Sequence, residues 1–148
     1  MGLVTRFERG GRKDALLRSA EGDEIAVEWE WEGIWGKNNE LGKLKKHKVW
    51  SKVKGTNRPL KYAVLITYTH TYNIEKVYAR VLKEWEEAKW PLLLILIDLE
   101  ESRKFSSGKD FKHIQMSAFE NGKRRELCVV PAYPWKVEGT RWQSLQSG

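Results

Sequence analysis

A chain of 148 residues with 41% hydrophobic and 32% charged residues holds enough apolar material for one packed domain and too much for a disordered segment. Its 27 Lys and Arg against 20 Asp and Glu leave a net charge of +7, which favours an anionic partner, nucleic acid first. The single cysteine, Cys128, excludes an intrachain disulfide framework and a Cys-rich zinc site, and no apolar run approaches the roughly 20 residues of a membrane helix.

In chain order, residues 1–11 read as a short helix or strand ended by Gly10-Gly11. Lys13–Ser19 and Glu24–Trp31 read as two strands of a hairpin turning at Ala20-Glu21-Gly22-Asp23. In the second strand Ile25, Val27, Trp29 and Trp31 alternate with Glu24, Ala26, Glu28 and Glu30. The tryptophans are expected in the core, which turns Glu28 and Glu30 to the other face, about 7 Å apart. Like charges that close repel unless a cation lies between them, so the pair suggests a divalent-metal site within a phosphate-binding surface. Asp14 joins that face if the hairpin loop has an odd number of residues and leaves it if the number is even.

Asn38 or Asn39 can cap a helix running to about His47, with Leu41 and Leu44 inward and Lys43, Lys45, Lys46 and Lys48 largely solvated. Tyr62–Thr69 is a β-rich strand, and Asn73 caps a helix whose stripe is Ile74, Val77, Tyr78, Val81, Leu82, Trp85 and Ala88. Leu92–Leu99 is a continuous apolar run, as expected of a strand buried on both faces. Strand, helix and strand together imply a parallel crossover. Asn121-Gly122 marks a type I′ turn that would pair Met116 with Leu127 and Ile114 with Val129. Asp98 reads as a polar strand end, Cys128 as a small buried residue, and His47, His70 and His113 as surface or hydrogen-bonded histidines without metal-ligand spacing. The expected architecture is a single α/β domain over residues 1–142, a mixed β-sheet flanked by helices with a C-terminal β-hairpin, followed by a flexible polar tail over 143–148.

Mg²⁺ held by two carboxylates and a main-chain carbonyl can serve phosphodiester hydrolysis, with Asp14 and Glu28 as ligands, the Trp29 carbonyl between, and Glu30 as a third acidic group. Asp14, then Glu28-Trp29-Glu30, then Asn39-Glu40-Leu41-Gly42-Lys43-Leu44 and the strand Ala63–Thr69 resemble the PD-(D/E)xK, or restriction-endonuclease-like, nuclease superfamily. The order of elements over residues 12–100 is similar to that family's core. The resemblance implies a restriction-endonuclease-like fold and Mg²⁺- or Mn²⁺-dependent cleavage of nucleic acid, DNA first. Two departures stand out: Glu30 stands in place of the motif lysine, as in a minority of type II restriction enzymes, while in other members that lysine migrates to the following helix, where Lys43 would be the candidate; and Lys13 stands where the motif proline would. Arg12, Lys13, Lys45, Lys46 and Lys48 are the candidates for phosphate contact. A homodimer could cut both strands. The composition is that of a cytoplasmic or nuclear protein with no membrane partner. The alternatives are a non-catalytic nucleic-acid-binding or assembly subunit of the same fold, and a protein-interaction module whose charge is incidental.

Overall fold

A computed structural model of the chain describes residues 3–7, 14–30, 34–35, 39–53, 58–101 and 109–132, the side chains of 6, 7, 101, 109 and 110 excepted. Its elements are β1 (Val4–Phe7), β2 (Ala15–Arg18), β3 (Asp23–Glu30), α1 (Glu40–Lys45), β4 (Tyr62–His70), α2 (Ile74–Trp85), β5 (Leu92–Glu101), β6 (Lys109–Glu120) and β7 (Lys123–Pro131). The strands form one mixed sheet in chain order, β1 to β7. β3, β4 and β5 are mutually parallel, and every other neighbouring pair is antiparallel.

Both helices cross between parallel neighbours, α1 from β3 to β4 and α2 from β4 to β5. Two right-handed crossovers stepping the same way across a sheet place their helices on the same face. That face carries Leu16, Ala26, Ala63, Leu65, Leu92, Leu94, Leu96 and Phe119, packed with Leu41, Leu44, Val77, Val81 and Trp85 from the helices. Among the described residues, no helix lies over the opposite face, where Ile25, Val27, Trp29, Val64, Ile66, Leu93, Ile95 and Ile97 are only half-buried. Two expectations are corrected by this. Leu92–Leu99 is not buried equally on both faces but alternates between buried and half-buried up to Asp98. In β3 the covered face is the one bearing Ala26, Glu28 and Glu30, so Trp29 lies on the half-buried side, and Trp31 falls outside the described residues.

Local chemistry sets the element ends. Asn39 takes a left-handed conformation (φ 46°), and its side chain accepts the Gly42 N–H, opening α1. The helix closes at Lys45, before His47, as the Lys46 N–H bonds back to the Gly42 carbonyl. Asn73 makes no side-chain capping bond; a 3-10 turn over Thr71–Asn73 leads into α2 instead. At the far edge Asn121 and Gly122 both have positive φ, and Glu120 pairs with Lys123. A bulge beside Met116 then moves the register by one, so Met116 faces half-buried Cys128 and Ile114 faces Val130, not Leu127 and Val129.

At the start of β3, Glu24 is buried under Ser19 (2.6 Å), Arg58 (2.6 Å) and Lys61 (3.1 Å). The Ser19 hydroxyl foremost, with the two cations, outweighs burial and holds this carboxyl below its ordinary value of 4.5. A folded-state value below the unfolded one stabilises the protein above the unfolded value, and that stability is lost as pH falls through the folded value. The unfolding free energy should therefore decline below about pH 4.5, and Glu24→Gln should flatten the decline. Urea titrations at stepped pH would show it; parallel curves for the two proteins would refute it.

Candidate active site

Asp14 stands one residue before β2, and the register Ala15 to Val27 puts it opposite Glu28, on the same face. The loop between β2 and β3, residues 19–22, has an even number of residues, which by itself would turn Asp14 away. The sheet corrects the count with a bulge: Leu17 pairs with Ile25 but Arg18 with Asp23, leaving Glu24 as the extra residue. Asp14 Oδ2 accepts the Trp29 N–H at 2.5 Å, extending the β2–β3 ladder by one side-chain rung. In an extended strand the N–H and C=O of one residue point to the same side, so the Trp29 carbonyl also faces Asp14.

Glu28 and Glu30 are 1% and 5% exposed. They are not on a wet face: the crossovers cover their side of the sheet. The Glu30 carbonyl accepts from Thr67 Oγ1 of β4 at 3.1 Å. α1 brings two further groups. Lys43 Nζ donates to Glu40 Oε1 at 2.7 Å, one helical turn apart, and Glu40 is itself buried. That hydrogen bond, with the charges of Glu40, Glu28 and Asp14, pushes Lys43 above its ordinary value against the opposing effect of burial. One ammonium thus senses carboxylates from β3, α1 and the approach to β2. They gather at the C-terminal end of the parallel strands, where open α/β sheets place their ligands.

Glu40 does not stand out in the sequence. Its signal is the three-residue step to Lys43 at the first turn of a capped helix, which also arises on ordinary solvated helices. The carboxylate oxygens suit a hard divalent cation, and Glu40 Oε2 is buried with no hydrogen-bond partner among the described residues. No three His, Cys, Asp or Glu side chains among the described residues form a ready-made metal cage. Lys43 supplies positive charge there instead.

The expected phosphate contacts are not beside these carboxylates. Lys45 closes the other end of α1 and Lys46 and Lys48 follow it, around a cavity shared with His47, and His47 bonds Asp23 at the start of β3. Five residues of strand, about 16 Å, separate Asp23 from Glu28. Lys45 is half-buried, its Nζ donating to the Glu84 carbonyl at 2.8 Å. Arg12 and Lys13 fall outside the described residues.

Asp98 is more than a polar strand end. It is 1% exposed, accepts from Thr71 Oγ1 (2.6 Å), and lies 3.3 Å from His113 Nδ1, tying β5 to the turn before α2 and to β6. Among the described residues no helix is long and apolar enough to cross a membrane. Comparison with protein-family models and with curated proteins finds no match.

Proposed function

We propose that this chain is a metal-dependent nuclease that hydrolyses phosphodiester bonds of DNA at the group formed by Asp14, Glu28, Glu30, Glu40 and Lys43. The observation that carries this reading is geometric: the β2–β3 register sets Asp14 opposite Glu28, and α1 brings the Lys43–Glu40 pair to the same end of the sheet, where Lys43 feels the charges of Glu28 and Asp14. The element order from β2 to β5, with two parallel crossovers, supports the restriction-endonuclease-like core implied by the resemblance.

Asp14 and Glu28 would hold Mg²⁺ with the Trp29 carbonyl, and Glu40 could complete the set through its unpaired oxygen. The ion would supply a Lewis acid for the phosphate and a more acidic water. Lys43, held above its ordinary 10.5 despite burial, is protonated throughout the neutral range and would act as a fixed positive charge rather than a base. Glu30, two residues from Glu28 on the same covered face, would orient water. The covered face keeps the group partly shielded, which strengthens each charge interaction.

The direct test is nicking of supercoiled plasmid with Mg²⁺ or Mn²⁺, against an EDTA control. Absence of cleavage on plasmid, single-stranded and branched DNA would overturn the reading. Lys43→Met should slow cleavage about 10²–10³-fold, the loss typical of one transition-state donor. The same variant should bind Mn²⁺ more tightly by calorimetry, because a competing cation is gone. An unchanged rate would remove Lys43 from the site.

A further inference from the structure

We infer a second, separate nucleic-acid contact at the opposite end of the sheet: an open basic cavity that grips the phosphate backbone away from the carboxylates. The cavity, of about 530 Å³, lies between the exit of α1 and the segments that enter β4 and β5, and is lined by Lys45, Lys46, Lys48, Arg58, Lys89 and Trp90 among others. Among the described residues, no carboxylate lines it.

The cations differ in what they already hold. Lys45 is bound to the Glu84 carbonyl and Arg58 to Glu24, so these two form fixed walls. Lys46, Lys48 and Lys89 are exposed and make no ion pair among the described residues. Three uncommitted ammonium groups on one concave surface raise its potential and draw anions. They come from two segments and line the walls of an open cavity, which suits an extended row of phosphates better than one compact anion. Trp90, in the same wall, keeps its indole N–H buried with no acceptor among the described residues.

This contact shares its nucleic-acid partner with the proposed nuclease but not the chemistry of cleavage, and it is tested without metal. Binding of a fluorescent 20-base-pair duplex to the full chain is measured by anisotropy in EDTA across a salt series. Lys46→Ala/Lys48→Ala/Lys89→Ala should weaken binding at least about tenfold and lower the log–log salt slope by about 2.7, near 0.9 for each phosphate no longer neutralised. A control, Lys76→Ala/Lys83→Ala/Lys123→Ala, removes the same charge from exposed positions elsewhere and should retain most of the affinity. Equal losses in both variants would mean diffuse attraction and overturn the site, as would no loss in the first. Displacement of the duplex by inorganic tripolyphosphate at phosphate concentrations below those needed with a single-stranded oligonucleotide would also overturn it, in favour of a compact-anion pocket. Cleavage can fail while this binding result holds, and the reverse, so the two readings fall separately.

Discussion

Glu28→Gln should reduce Mg²⁺-dependent cleavage of DNA by about a thousandfold or more, equivalent to about 4 kcal/mol of barrier. The substitution keeps shape and volume at a side chain that is 1% exposed, so the core of the sheet stays packed, and only the charge is removed. Glu28 lies at the centre of the group: opposite Asp14 in register, two residues from Glu30, and close enough to Lys43 to raise it. Without that charge Lys43 faces one carboxylate fewer, and the proposed Mg²⁺ would lose a ligand from β3. Two measurements separate chemistry from folding. In EDTA the variant should melt near the wild type and bind DNA with wild-type affinity. Mg²⁺ should raise the melting temperature of the wild type and leave that of the variant unchanged. A variant that still cleaves at the wild-type rate would take Glu28 out of the mechanism.

Asp23→Ala should cost about 3–5 kcal/mol of folding stability, the range for breaking a buried ion pair from one side. Asp23 is 1% exposed and uses both oxygens: Oδ1 accepts from Arg18 Nε at 2.6 Å, and Oδ2 takes the Trp50 N–H at 2.8 Å with His47 Nε2 at 3.2 Å. Arg18 also stacks over the Trp50 ring, 4.6 Å from its centroid. Truncation therefore strands a guanidinium and a backbone N–H together, and leaves the segment after α1 held at this point by backbone bonds alone, Asp23 N–H to the Trp50 carbonyl and Lys52 N–H to the Glu21 carbonyl. Glu84→Ala is the contrast. It breaks the half-exposed pair with Arg80 on α2 and should cost less than about 0.5 kcal/mol. Urea unfolding of both variants checks the comparison; similar losses would mean that burial is not what gives Asp23 its weight.

What could be read from the sequence was periodic. The alternation in Glu24–Glu30, the helical stripe from Val77 to Trp85 and the apolar run of β5 each correspond to an element of the expected type. What could not be read was which face of an alternating strand is covered. Glu28 and Trp29 are neighbours of opposite character, and period-two patterning says only that they point apart. Coverage is decided by the handedness and direction of two crossovers, a property of the whole sheet. For the same reason Lys43 and Lys46 look equivalent in one basic run, yet α1 ends between them and directs one to the carboxylates and the other to the distant cavity. Asp23 and Asp98 were hidden because their partners, Trp50 and His113, lie far along the chain.

The bulge at Glu24 has a consequence for how this hairpin can vary in evolution. Deleting or inserting one residue within Ser19–Gly22 reverses the side on which Asp14 emerges, unless a bulge is gained or lost in the same event. Changes of two residues preserve it. Length variation in this loop among functional descendants should therefore proceed in even steps, with single-residue changes surviving only beside a compensating irregularity in β2 or β3.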